Sequence, residues 1–179
     1  MRTSLAELAS ELDTTDRTLR RALNQGLLRA RRPSPRTADL SLAERSYLRQ
    51  VWPLLARLRE LLRTEPDVSL AVLFGSWARG DARDASDVDL LGSLRDRGNA
   101  RRVASRLSDR LGRRVQLVTL EDARGAPLLL REVLREGRVL VDRDEGWSAL
   151  LRDRERIERA ARREHRLIND AFEAAFGAE

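Results

Sequence analysis

The sequence predicts an α+β protein: an N-terminal all-α head of two short helices, then a small mixed β-sheet flanked by helices. Three observations predict it. Capped segments with helical apolar spacing fill the first 63 residues, and short apolar runs closed by glycine-bearing turns recur from residue 68 onward. Charge is also divided between the two parts. All 35 basic residues are arginine, and residues 1–63 hold 13 of them against 7 acids, so the whole net charge of +6 belongs to the first third.

Ser4-Leu5-Ala6-Glu7 reads as a capping box, and Leu5, Leu8, Ala9 and Leu12 recur at helical spacing. Asp13-Thr14-Thr15-Asp16 supplies a turn and a fresh cap. Leu19, Ala22 and Leu23 then mark a second helix that stops near Gly26. Two short helices joined this closely form a helix-turn-helix, which leaves Arg17, Thr18, Arg20 and Arg21 pointing outward to meet phosphates and guanine edges. The following "LLRARRPSPR" reads as a basic strand or arm and adds Arg31 and Arg32. Arg17 to Arg36 holds seven arginines and no acid, the electrostatic footprint of a polyanion partner. No aromatic residue is interleaved there, so duplex DNA is expected rather than a single strand. "LAELASELDTTDRTLRRALNQGLL" resembles the helix-turn-helix of bacterial transcriptional regulators. The expected head is residues 1–40, and its small size suggests a homodimer on a two-fold site.

Ser41-Leu42-Ala43-Glu44 opens a long helix to about Arg63, with Leu48, Val51, Leu55, Leu58 and Leu62 on one stripe. Pro53 is expected to kink or split it. We read 41–63 as a connector and Thr64-Glu65-Pro66-Asp67 as the boundary to a second domain, 64–179. Within that domain "SLAVLF", 69–74, reads as a buried strand, "DVDLL" as a second and "RRVQLVTL" as a third, with a helix at 98–111 stopped by Gly112. "RVLVDRD", 138–144, reads as a short last strand leaving the core. Trp147 to Phe176 reads as a final helix with Leu150, Ile157, Ala161, Ile168, Phe172 and Ala175 on a stripe expected to pack on its own sheet.

Composition removes several chemistries. With no cysteine and one histidine, disulfides, thiolate catalysis and multi-histidine metal cages are excluded. His165 follows Arg159 by six residues, a spacing that an arginine-rich chain produces by chance. The longest uncharged stretch, Val68 to Ala78, is too short to span a bilayer, and the N-terminus lacks a signal-peptide pattern. A cytoplasmic protein without a membrane partner is the expectation.

The chemistry concentrates in "FGSWARGDARDASDVDL", 74–90. Asp87 and Asp89 occupy alternate strand positions and project from one face, where they repel each other unless a cation lies between them. That geometry invites Mg²⁺, with phosphate oxygens completing its hard-oxygen shell. Gly75 allows a phosphate close to the backbone, and the amide and hydroxyl of Ser76 donate to phosphate oxygens. Trp77 and Arg79 read as a base-stacking and a phosphate contact, or, for Trp77, as packing.

Gly75-Ser76, ten residues, then Asp87-Val88-Asp89 resembles the G-S-x10-D-x-D signature of the minimal nucleotidyltransferases, in the superfamily of kanamycin nucleotidyltransferase and DNA polymerase beta. The resemblance covers about 19 contiguous residues and, by topology, roughly 64–145. It implies a nucleotidyltransferase fold in which Asp87 and Asp89 are catalytic and hold Mg²⁺, Gly75, Ser76 and Arg79 contact the nucleotide, and ATP or another nucleoside triphosphate is the substrate. A hydroxyl would attack the alpha-phosphorus and pyrophosphate would leave. The superfamily generally adds a third carboxylate on a later strand, where this chain has Gln116. An amide cannot act as a base. Glu121 and Asp122 are near in sequence as substitutes or as caps of the next helix.

Three readings follow from the residues and the resemblance. The first is an antitoxin-like autoregulator that transfers a nucleoside monophosphate to a partner, by resemblance a HEPN-like toxin, while its head reads duplex DNA. The second is a transcriptional regulator whose degenerate transferase domain senses nucleotide. A small-molecule transferase of the antibiotic-modifying type ranks last, because no further acceptor-binding domain is evident.

Overall fold

The computed structural model of the chain describes residues 5–34 and 37–176. Ser4, the first expected cap, lies outside them. Helix α1 spans Leu5–Glu11 and α2 Asp16–Gln25. The chain reverses between them through Asp13 at φ 49°, a left-handed conformation that aspartate tolerates better than most residues. Within the expected cap, Thr15 is the residue that serves, its hydroxyl accepting the Thr18 amide at 3.1 Å. Gly26 at φ 85° ends α2, and Leu8, Leu19 and Ala22 are buried where the helices meet. The basic segment that follows forms an antiparallel hairpin of β1, Arg31–Ser34, and β2, Thr37–Asp39.

Helix α3, Leu42–Arg63, is capped by Ser41, whose Oγ accepts the Glu44 amide at 3.1 Å. It runs unbroken through Pro53 and is not split in two there. Pro53 and Arg49, the residue whose carbonyl loses its intrahelical donor, are both exposed. All five expected stripe residues are buried, and Tyr47, Trp52 and Leu61 join them.

The sheet has the order β5-β4-β3-β6, formed by β3, Val68–Phe74, β4, Val88–Leu94, β5, Val115–Thr119, and β6, Arg138–Asp142. Only the β4–β5 pair is parallel, which requires the crossover helix α5, Ala100–Leu111. Every residue of β3 is buried, because helices cover both sheet faces. Ala71 and Leu73 join the core shared with α1, α2 and α3, while Leu70, Val72 and Phe74 face the opposite cluster with α7, Pro127–Glu136. A single apolar layer thus runs from the N-terminal helices through α3 to the sheet.

Three expectations need correction. Residues 138–142 do not leave the core: they pair antiparallel with β3, and Val139 and Leu140 are buried. The final helix is two, α8, Gly146–Arg152, and α9, Arg154–Phe176, broken at Asp153 so that Leu150 and Ile157 both reach the second cluster. The stripe reaches the sheet through Leu150 and packs on α7 as well, but only over its first half. Glu164 accepts the free first-turn amide of Leu128 at 3.1 Å, whereas Ile168 and Phe172 are 52% and 64% exposed. Among the described residues no helix is long and apolar enough to cross a membrane.

Candidate active site

The site assembles where β3 ends beside β4. Phe74 pairs with Asp89, and the chain then turns through Gly75 at φ 71° into the short helix α4, Gly75–Arg79. Glycine is required there twice over. The backbone is left-handed, and a Cβ would sit 2.6 Å from Asp89 Oδ2. Ser76 follows in the first turn of α4, and its hydroxyl makes no hydrogen bond to a described residue.

Asp87 lies one residue ahead of β4 and Asp89 within it, so the expected two-residue spacing holds and both belong to the sheet face that meets α7. The Asp89 carboxyl is held above the ordinary carboxylate range, first by burial, then by the negative charges of Asp87 and Glu132, with Arg79 opposing. Asp87 Oδ2 accepts a 2.7 Å hydrogen bond from Gln116 Nε2 and lies 3.6 Å from the Arg114 guanidinium. Gln116 is level with Asp89 in the parallel register, and its side-chain amide ties down Asp87.

Glu121 and Asp122 do not join this group. Thr119 is level with Gly92, so both lie beyond the opposite end of β5, more than about 10 Å along the strand from Gln116. Asp122 accepts from the Thr119 hydroxyl at 2.6 Å and Glu121 pairs with Arg97. Both serve the start of α6, Leu120–Ala123, and its neighbour. Among the described residues no group of three carboxylate or histidine side chains gathers as a metal cage. Among the described residues, Asp87 and Asp89 are a pair that could hold a magnesium ion taking its other oxygens from phosphate and water.

Helix α7 contributes residues that sequence reasoning missed. Glu136, buried at its C-terminus, accepts the Gly75 amide at 2.9 Å and the Arg79 guanidinium at 2.9 Å. Glu132, one turn earlier, accepts from Arg79 at 3.2 Å. With Asp81 as its third carboxylate partner, Arg79 clamps α7 to α4, and these bonds keep it firmly protonated. The signal was present in Pro127 at a helix start, Leu130, Val133 and Leu134 at helical spacing, and Gly137 at the stop. Trp77 serves packing: its indole N–H donates to the Ser86 carbonyl at 3.2 Å, and the Arg113 guanidinium lies 4.8 Å from the ring centroid. It thereby pins the loop that delivers Asp87.

The six candidate nucleic-acid residues lie on α2 and β1. Arg17, Arg20, Arg21, Arg31 and Arg32 are exposed, while Thr18 is half-buried and bonded to the Thr15 hydroxyl at 2.8 Å. Arg32 donates to Asn24 at 2.9 Å, joining hairpin and helix into one basic surface. Arg20 pairs with Asp16 at 2.6 Å.

A family model described as polymerase beta, nucleotidyltransferase, matches residues 56–146. None of the curated proteins matches the chain. Among solved structures, a toxin-antitoxin with AMP-PNP is similar with a TM-score of 0.55 and 24% identity, over 66% of this chain and 97% of that one. The MntA-HepT toxin-antitoxin has a TM-score of 0.52 and 22% identity, over 68% and 97%. A tri-AMPylated Shewanella oneidensis HEPN toxin in complex with an MNT antitoxin gives the same four values. At these identities the likeness is one of fold, and it covers nearly the whole of the MntA chains.

Proposed function

The chain belongs to the polymerase beta nucleotidyltransferase family, and on that premise we propose that it binds a magnesium-nucleoside triphosphate and transfers the nucleoside monophosphate to a partner protein. In this reading residues 64–179 form the transferase unit, 1–40 a head that reads duplex DNA, and 41–63 the element joining them. The carrying observation is the pair Asp87 and Asp89 set against the Gly75-Ser76 turn, with Asp89 Oδ2 where a Gly75 side chain would be. Bound magnesium would neutralise phosphate oxygens, and Asp87 and Asp89 would hold it. The Ser76 hydroxyl is free to donate to a phosphate, while the Gly75 amide is engaged by Glu136. An acceptor hydroxyl oxygen forms the new bond to the alpha-phosphorus as the bond to pyrophosphate breaks. Its proton passes to solvent, since Gln116 cannot take it. The similar antitoxins are solved with AMP-PNP in one case and with an AMPylated HEPN toxin in another, which favours ATP as donor and a HEPN-like toxin as acceptor.

A second reading has its own observation. Arg138, buried on β6, donates to the Leu27 carbonyl below α2 at 3.2 Å and to the Ala78 carbonyl of α4 at 3.0 Å, which joins the N-terminal helices to the nucleotide turn by one side chain. With Gln116 weakening the chemistry, that link suits a nucleotide sensor acting on the head. One experiment separates the readings. The protein is incubated with magnesium and each alpha-labelled triphosphate, with and without the product of the neighbouring gene, and scored for covalent label and pyrophosphate. Label on the partner supports transfer. Binding without transfer, together with nucleotide-dependent duplex affinity, supports the sensor. For the head, Arg20→Ala and Arg21→Ala are expected to weaken duplex binding and flatten its salt dependence, and unchanged affinity in both refutes the assignment.

A further inference from the structure

A second charged hollow, of about 590 Å³, lies between the C-terminal halves of α2 and α3 and the end of β6. Four arginines line it: Arg21 from α2, Arg59 and Arg63 from α3, and Arg143 just after β6. Their partners are neutral. Arg59 donates to the Gln25 side-chain oxygen at 2.7 Å, and Arg143 donates to the carbonyls of Leu62, Glu65 and Val68. Arg21 and Arg63 make no ion pair or hydrogen bond among the described residues. The lining carboxylate, Asp142, is already engaged by the amides of Gly146 and Trp147 at 2.8 and 3.2 Å.

Elsewhere arginines meet acids, as Arg49 meets Glu11 and Arg106 meets Glu65. Like charges drawn together without acids destabilise a fold unless something else recovers the cost. Burial, and after it the charges of Arg63 and Arg21, lower the affinity of the Arg59 guanidinium for its own proton. The volume lies within the range of small-ligand sites, and guanidinium forks match phosphate oxygens in pairs. The hollow is also separate from the aspartates. Asp142 is level with Leu70 and Asp89 with Phe74, further along β3, and the hollow opens at the β6 edge of the sheet whereas Asp89 lies on β4.

We propose that this hollow is a second, metal-independent phosphate-binding site, formed by Arg21, Arg59 and Arg63. The phosphate belongs to a free polyphosphate compound or to a duplex backbone lying along α2, and a phosphate held there would bridge the N-terminal helices and the sheet edge. Because EDTA silences any magnesium-dependent site, the test is independent of the transferase reading.

Titration calorimetry of the full chain with inorganic triphosphate in EDTA probes the free ligand, and fluorescence anisotropy with a short duplex probes the backbone. Arg63→Glu is the primary variant, since Arg63 is exposed and bonds nothing in the described fold. Arg59→Gln with Arg63→Gln is the second, and Arg59→Lys with Arg63→Lys is the charge-keeping control, with thermal melting to confirm folding. A loss of triphosphate affinity of at least about tenfold in the Glu and Gln variants, largely restored by lysine, supports a free ligand. The same loss confined to the duplex, with no triphosphate binding by the wild type, supports a backbone phosphate. Unchanged affinity for both probes in folded Arg63→Glu overturns the proposal.

Discussion

Two clusters of charge flank α4, and they are built on opposite rules. On the side of α3, Arg138 and Glu44 are 3% and 5% exposed and form a two-pronged ion pair at 2.6 and 2.9 Å. The Tyr47 ring lies 3.6 Å from the guanidinium, and Glu44 also accepts the Arg29 amide at 2.9 Å. Tyr47 in turn donates to the Trp77 carbonyl at 3.1 Å, and burial pushes its hydroxyl up to about 12. Nearly every polar atom there has a partner, and the cluster is shut. On the side of α7, Asp87, Asp89 and Glu132 bring like charges together, half open, with Arg79 as counter-charge to Asp89 and Glu132 and Arg114 near Asp87. The closed cluster holds the turn in place. The open one leaves negative potential for a ligand to neutralise, which is how a binding site differs from a structural latch.

The largest effect is expected from opening the closed cluster. Glu44→Ala strands a buried guanidinium and should cost about 3–5 kcal/mol in denaturant unfolding, whereas replacing Glu44 and Arg138 together by apolar residues should cost less than the single change. A cost for Glu44→Ala within the range of an ordinary surface substitution, about 0.5 kcal/mol, would break the comparison. Next is the open cluster: Asp87→Asn with Asp89→Asn should weaken magnesium-dependent nucleotide binding by about two orders of magnitude while leaving the EDTA melting temperature unchanged or raised. A fall in that melting temperature would make the aspartates structural. Gly75→Ala affects both properties, since it places a methyl against Asp89 at a positive φ. It should cost about 1–2 kcal/mol of stability and reduce nucleotide affinity, read from the same two assays.

The smallest effect is a pH dependence. Burial and like charges raise the Asp89 carboxyl above its ordinary 3.8, so the native state binds that proton more tightly than the unfolded chain does. The contribution is therefore favourable at low pH. It is lost as pH rises from 3.8 through the raised value and is flat above it. Melting temperature against pH in EDTA should show this decline in the wild type and not in Asp89→Asn, and magnesium should reverse it. A decline that persists in the variant assigns it to another group.

Much of this site was legible beforehand because local rules write it. Asp87 and Asp89 share a face through the two-residue strand period, and Gly75, Gly26 and Gly112 sit at positive φ, where glycine is the residue the backbone tolerates. The caps at Thr15 and Ser41 follow from the need of first-turn amides for acceptors. The Leu128-Leu129-Leu130 run hid α7, since a short apolar run reads equally as strand or helix, and Glu132 and Glu136 were hidden with it. The final helix misled in another way. Its stripe is periodic throughout, but periodicity does not state where the packing partner ends, and α7 ends well before Phe172.

By itself the sequence determined the first three helices, the glycine turn, the aspartate pair and the basic first third, because each follows from backbone sterics, helical or strand period, or composition. Only the tertiary structure decided which polar groups meet: Glu44 with Arg138 across 94 residues, Glu136 with the Gly75 amide across 61, Gln116 with Asp87 across 29. In a chain where arginine and acids are this abundant, any pairing is allowed by composition. For Glu44, Arg138 and Glu136 the choice is made by burial, since a charge taken from water requires a partner wherever the packed layers place it.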